Sequence, residues 1–517
     1  MSEVSTQSDL GDKPVTTTSG MTTKVVKGSF WLLAGQVLPL IATFISTPFV
    51  IRSLGSEAYG VLILIGLIST YFSFGDLGMS LASTKFGAEA YGKKLYNEEA
   101  KIIWTSASIA FCTSLVIAVP LFIFSDFIVG ELLKVPHHLH EEASKGLKIT
   151  SIGFVIICIS GTVNTPQLSR LRMDMNTMIN AGGRILMILA TPVVLYLGGR
   201  IPEATIVALA AGLFILLGHL FFSTKLLPSL RQFTISKALV RPLVKFGSGA
   251  VLYGIALIVV SNLDKFLLTR LVSVQSLAWY SVAFTFASMT SMFSYAMVQS
   301  LIPAFSQLLT PDKKEELKSL FTQTLRISIL GLLPSIMFLF VIAKPFFSIW
   351  AGDEFGRESV YPYYILLVGV FFSLLVYIPN CVVISHGRPD MMARVYWIEF
   401  VPYILMTILL IQKFGIIGAA LAWSIKEIIN AFIFITQAKK VSQIQFSIIS
   451  EIVKLGFGIM VLAIPMLFAI LFKNFLPWLF VLVPCSLILY VTVAWKGYLT
   501  IQEKNWLSTR LANLVKL

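Results

Sequence analysis

The sequence predicts an all-α polytopic membrane protein, and three observations predict it. The chain of 517 residues is 56% hydrophobic and only 13% charged, with a mean hydropathy of +0.83, whereas a soluble domain is roughly 45–50% apolar and about 25% charged. Apolar stretches of about 20 residues recur along nearly its whole length, each long enough to cross a hydrocarbon core about 30 Å thick. Short links alternate with longer basic ones. A β-barrel is excluded, because its strands would show only about ten residues of apolar alternation. So little chain lies between the apolar runs that no sizeable soluble domain fits.

The elements follow in order. Residues 1–24 are polar and Ser/Thr-rich, with no apolar core before a cleavage site; they read as a disordered cytoplasmic tail, and the first span as an uncleaved signal. Hydropathy then places about fourteen spans, near 29–51, 60–82, 103–124, 148–168, 177–197, 205–223, 247–271, 281–302, 325–349, 362–385, 395–412, 416–437, 449–472 and 476–495. With the N-terminus inside, roughly 25 of the Lys and Arg residues fall in inner loops and tails and roughly 10 outside, so both termini are expected in the cytoplasm. That asymmetry explains the net charge of +14 without invoking nucleic acid. The links STKFGAEAYGKKLYNEEAK and STKLLPSLRQFTISKALVRPLVKF are basic and inner, whereas GGRIPEA and QKFG are short and outer.

Several chemistries find no support. The four cysteines, Cys112, Cys158, Cys381 and Cys485, lie in apolar runs without CxxC spacing and read as packing residues. VPHHLHEE, residues 135–142, reads as a solvated outer loop rather than a metal site. There is no GxxxxGK[ST], HExxH or GxSxG, and no outer loop large enough for a transferase or ligase site, so the protein is not expected to be an enzyme. FVIRSLGSEAYGVLI and FLLTRLVSVQSLAWYSVA, offset by about 220 residues, suggest two tandem halves of six spans each.

The informative residues are charges placed too deep. An ionisable side chain at mid-bilayer costs about 2.5–3.5 kcal/mol on insertion scales, so it usually faces a partner or a cavity. Asp76 falls late in span 2, with Ser69, Ser73, Ser80 and Ser83 at helical spacing around it, which reads as one polar stripe. In span 7, Ser261, Asn262, Asp264, Lys265 and Thr269 share less than half of the helix circumference. Asp264 and Lys265 are adjacent and point apart, so each needs another partner. Span 12 carries Lys426 and Glu427 near its midpoint, with Asn430 one turn on. Span 5 carries Arg184, while Arg326, Glu399, Glu451 and Lys454 are expected at the interface. The deep set, Arg52, Arg184, Lys265, Arg270 and Lys426 against Asp76, Asp264 and Glu427, is net positive and would suit an anionic passenger, with Arg forking onto phosphate oxygens.

In order and spacing, Arg52, Leu54-Gly55, Tyr59-Gly60 and Gly75-Asp76-Leu77-Gly78, followed by SNLDKFLLTRL and CVVISHGRPDMM with Gly387-Arg388, resemble the polysaccharide-transporting oligosaccharide flippases of the multidrug, oligosaccharidyl-lipid and polysaccharide exporter superfamily. The resemblance covers roughly residues 25–440. It implies two six-helix lobes in a V around a central cavity, an N-lobe at 25–224 and a C-lobe at 225–440, with two appended helices and a cytoplasmic tail at 441–517. It further implies a multi-pass protein of the bacterial inner membrane that turns undecaprenyl-diphosphate-linked oligosaccharide repeat units from the cytoplasmic to the periplasmic leaflet by alternating access, for O-antigen or exopolysaccharide assembly. A polysaccharide polymerase and a chain-length regulator are the protein partners that follow. Arg52, Arg184, Lys265, Arg270 and Lys426 would hold the cargo, and Asp76, Asp264, Asn262 and Glu427 would supply cavity polarity or coupling. No cofactor is expected, an H+ or Na+ gradient being the energy source to consider. A lipid II flippase or a multidrug antiporter of the same superfamily are the alternatives; against the antiporter, span 1 carries Gln36 and no acid.

Overall fold

The computed structural model describes residues 18–290, 301, 305, 308–309, 311–386, 388–443, 453–472, 476–500 and 504. Residues 1–17 of the expected tail, Gly387 and Glu451 lie outside this set, as do the side chains of Ser73 and Ser261. No strand occurs among the described residues. The long helices are α1 (Thr18–Tyr71), α2 (Met79–Gly92), α3 (Tyr96–Ile123), α4 (His140–Val163), α5 (Thr165–Ser169), α6 (Met173–Tyr196), α7 (Ile201–Leu226), α8 (Lys237–Leu271) and α9 (Val274–Met289). They continue with α10 (Lys314–Ala351), α11 (Asp353–Glu358), α12 (Val360–Ser385), α13 (Pro389–Ser442), α14 (Gly456–Leu471) and α15 (Leu476–Val493).

Among the described residues the predicted spans fall on helix, span 2 with a break; most of span 281–302 beyond Thr290 and the start of span 449–472 lie outside the described residues. Two pairs run together with no loop between them: α1 turns at Gly55 (φ 79°) and α13 at Gly415 (φ 57°). A left-handed φ is open to glycine at little cost, so a single residue replaces the outer connection in both places.

Span 2 is not one helix. α1 stops at Tyr71, a 3-10 turn covers Ser73–Asp76, and α2 restarts at Met79 after Leu77 and Gly78 take φ of 52° and 70°. A side chain at Gly75 would meet the Phe154 ring at 2.4 Å, so the break is packed tightly in place. The single polar stripe expected through Ser69, Asp76, Ser80 and Ser83 therefore does not exist, because helical spacing does not carry across the break.

By contacts the chain forms two compact units. One comprises Met1–Thr47, Phe72–Phe124 and Lys145–Leu252. Within it α2 packs on α3 and α5, and α6 on α7. Small residues dominate the α2–α3 core, which contains Met79, Ala82, Ala90, Ile102 and Ala110; close backbone approach is what drives association where lipid is as apolar as the side chains. Ser83 and Thr165 join their hydroxyls at 2.8 Å in the same region.

The other unit comprises Pro48–Tyr71, Ser125–Ser144 and Tyr253–Leu517. α12 is its centre, packed along α13 and against α9 and α10. α14 and α15 pack on each other and on α10, and Tyr490 donates to the Leu330 carbonyl at 3.0 Å. Cys158 and Cys381 are buried, but Cys112 and Cys485 are exposed, so the packing role expected of all four holds for two. An apolar residue on an outward helix face is at home in lipid, and hydropathy alone does not distinguish that face from the core.

Candidate functional site

Inside the second unit the deep charges of spans 7, 11 and 12 meet. Asp264 and Lys265 lie near the end of α8 and are 0% and 8% exposed. As adjacent residues on a helix should, they turn to different partners. Asp264 accepts the hydroxyl of Tyr280 on α9, and its Oδ1 is buried without a hydrogen bond. Lys265 donates to Asn262 Oδ1 at 3.0 Å and stands 4.2 Å from the centre of the Phe284 ring. The Asn262 carbonyl in turn accepts the hydroxyl of Tyr71.

Lys426 and Glu427 behave differently. Although consecutive on α13, they close an ion pair at 3.0 Å. Lys426 also faces the rings of Tyr403 at 5.2 Å and Trp423 at 5.9 Å, within range of cation–π attraction. Phe284 and Trp423 meet edge to face at 5.2 Å, so one aromatic pair links the surroundings of both lysines.

Glu399, expected at the interface, belongs here instead. Its carboxylate is buried and feels Lys426 and Glu427, with Asn430 beside it but short of a well-formed hydrogen bond. It comes from the first half of α13, and the reversal at Gly415 lays that half along the second. The cluster thus holds two cations, Lys265 and Lys426, and three carboxylates, Asp264, Glu399 and Glu427: a formal charge of −1 when all are ionised.

The remaining residues singled out in the sequence lie elsewhere. Arg52 is exposed and donates to the Ile349 carbonyl at 3.2 Å; Arg270 is exposed and donates to the Glu131 carbonyl at 2.9 Å. Both sit at helix ends in the second unit. Arg184, on α6 of the first unit, is exposed. Asp76, also in the first unit, is 7% exposed and caps α2: its oxygens accept from the Gly78 and Ser80 backbone N–H groups, each at 2.9 Å, and from the Ser80 hydroxyl. Asp76→Ala should therefore destabilise the start of α2 by about 1 kcal/mol, read as a fall in thermal stability, with Asp76→Asn retaining part of the loss because it keeps one acceptor oxygen.

One ion pair has no counterpart in the sequence reading. Glu99 on α3 is fully buried and holds Arg170, just past α5, through two bonds of 2.6 and 3.0 Å, while the guanidinium also covers the Tyr91 ring at 4.4 Å. Both residues lie among the charges of inner loops, where nothing in the sequence marks them out. The three histidines of residues 135–142 do not gather at one point: the His137 and His140 rings meet edge to face at 5.9 Å, but His138 turns to Glu57 at 3.3 Å and His140 to the Asp126 carbonyl at 3.1 Å.

Comparison with known proteins gives this arrangement a context. The profile described as "Polysaccharide biosynthesis protein" matches residues 25–309, and that of "Lipid II flippase MurJ" matches residues 184–490. A "Putative O-antigen transporter" of Shigella flexneri is 24% identical over 79% of this chain and 96% of its own. The "Probable low-salt glycan biosynthesis flippase Agl15" of Haloferax volcanii is 23% identical over 49% of this chain and 54% of its own. Among solved structures, a lipid II flippase MurJ in an inward closed conformation superposes with a TM-score of 0.70 over 91% of this chain and 98% of that one, at 15% identity. An inward-facing multidrug transporter of the MATE family gives 0.65 over 80% and 94%, at 12% identity. At such identities the structures speak for the fold alone, an all-α polytopic bundle. More than half of the sequence lies within the first profile, and the chain belongs to the polysaccharide biosynthesis protein family, the glycan flippases of the multidrug, oligosaccharidyl-lipid and polysaccharide exporter superfamily.

Proposed function

We propose that the protein turns undecaprenyl-diphosphate-linked oligosaccharide repeat units from the cytoplasmic to the periplasmic leaflet of the bacterial inner membrane, by alternating access of two lobes, with both termini in the cytoplasm. The observation that carries this reading is the pair of buried lysines, Lys265 and Lys426, framed by Phe284 and Trp423. A diphosphate cannot enter hydrocarbon without replacement for its water. Ammonium groups provide it, and aromatic faces suit the apolar faces of sugar rings.

At rest the lysines are occupied by Asn262 and Glu427. An arriving diphosphate must exchange with these partners, and protonation of Glu399 would take the cluster's formal charge from −1 to 0 and so couple a proton to loading. Arg52, Arg184 and Arg270, being exposed, would contribute long-range field. Asp76, whose oxygens cap α2, leaves coupling to the other acids. A polymerase and a chain-length regulator would receive the delivered unit.

A lipid II flippase is the second reading, favoured by the profile match over residues 184–490. Both cargoes carry the same diphosphate. Charge does not dispose of a multidrug antiporter, given the three carboxylates of the cluster; the glycan reading rests there on the family profile and the Shigella flexneri relative.

The test is delivery of glycan to the outer face in cells lacking the native copy. Lys265→Gln keeps a donor beside Phe284 but no charge, and should lower delivery by at least about tenfold, the loss of one charge-assisted phosphate contact, while lipid-linked precursor accumulates inside and protein abundance holds. Undiminished delivery by Lys265→Gln and by Lys426→Gln would overturn the reading.

A further inference from the structure

At the end of the second unit where α12 stops and α13 both begins and finishes, a cavity of about 630 Å³ opens. Arg388 and Arg394 enter it from the start of α13, His386 from the end of α12, and Lys440 from the last turn of α13. No carboxylate is among its described lining residues. The first turn of α13 adds the positive end of its helix dipole. This face is the one that the Lys and Arg asymmetry assigns to the cytoplasm.

Two further observations distinguish the cavity from an ordinary basic surface. Gln437 lines it with a side-chain oxygen that is buried and lacks a hydrogen-bond donor. Its remaining wall is apolar, and Ile398 in that wall is 75% exposed on the outer flank of α13. Cations ask for an anion, the Gln437 oxygen for a donor such as a hydroxyl, and the apolar flank for hydrocarbon. Arg388 and Arg394 already have electrostatic company, so a ligand joins an existing arrangement rather than bare guanidinium groups.

We propose that this cavity binds the phosphate headgroup of a membrane amphiphile, with a hydroxyl of the headgroup on Gln437 and the tail along Ile398. The site is separate from the Lys265–Lys426 cluster. Phosphate on a hydrocarbon carrier is the chemistry recognised, whether the carrier is a phospholipid of the bilayer or the polyprenyl lipid of the cargo.

Native mass spectrometry of the full chain released from detergent tests it. Phosphatidylglycerol should be retained at least about tenfold more strongly than phosphatidylcholine, whose headgroup carries no net charge and no hydroxyl. Arg394→Gln/Lys440→Gln should abolish that preference while the lipid-free thermal transition stays put, and Arg394→Lys should keep part of it. Competition by undecaprenyl diphosphate would identify the cargo lipid as the occupant. Phosphatidylglycerol held against such competition would identify a bilayer lipid, and retention of inorganic pyrophosphate alone would show that phosphate suffices without a tail. Equal retention of phosphatidylglycerol and phosphatidylcholine by the wild-type protein would overturn the proposal, as would an undiminished preference in the double variant. The wild-type comparison decides even if that variant fails to fold.

Discussion

Lys426→Met is expected to abolish glycan delivery and to cost roughly 3–5 kcal/mol of stability, because removing one member of a buried ion pair strands the other. Glu427, 3.0 Å from the ammonium and itself only 13% exposed, would be left with its charge in a region where Glu399 is also acidic. The two effects are separable. Replacing both members, Lys426→Met/Glu427→Leu, substitutes apolar volume for a buried pair, a change that is often neutral or stabilising. The double variant should regain most of the lost thermal stability and none of the transport. Recovery of delivery along with stability would mean that the pair is scaffolding and that Lys426 does not touch the cargo.

Arg170→Met should produce the largest single-site loss in the first unit, again roughly 3–5 kcal/mol, since Glu99 is fully buried and both its oxygens accept from the guanidinium. Arg170→Lys cannot restore the fork and should recover only part, because an ammonium is a point donor. The matching Glu99→Gln/Arg170→Met variant tests whether the penalty is that of an orphaned carboxylate: the double change should be less destabilising than Arg170→Met alone. Thermal unfolding of purified protein in detergent reads all three. If Arg170→Met is as stable as the wild type, the pair is exchanging with water and Glu99 is hydrated in solution.

Lys265, Lys426, Asp264 and Glu427 are individually visible as sequence anomalies; Glu399 and the company they keep are not. Lys265 and Lys426 stand out because each interrupts an apolar run, so their burial follows from span position. That Asp264 meets Tyr280, that Lys265 turns to Asn262 and Phe284, and that Glu399 belongs to the cluster depend on which helix lies alongside which. For Glu399 the reason is definite: its distance from the end of span 11 suggests an interface, but the reversal at Gly415 brings that segment against Lys426 and Asn430. Asp76 shows the converse error. Regular spacing implies a continuous polar stripe, but α1 stops at Tyr71 and the left-handed Leu77 and Gly78 separate it from α2, so the helix on which the spacing is counted is interrupted.

Amino-acid order by itself determined the helical class, the positions of the spans and the family signature, because in lipid each span must satisfy its own backbone hydrogen bonds and only a helix long enough to cross can do so alone. The tertiary structure decided where the buried charges find their counterparts. Within a span no local rule selects a partner: neighbours at i and i+1 closed a salt bridge at Lys426 and Glu427 yet separated at Asp264 and Lys265. The difference comes from the side chains that other helices bring to each site, and those contacts exist only once the helices have packed.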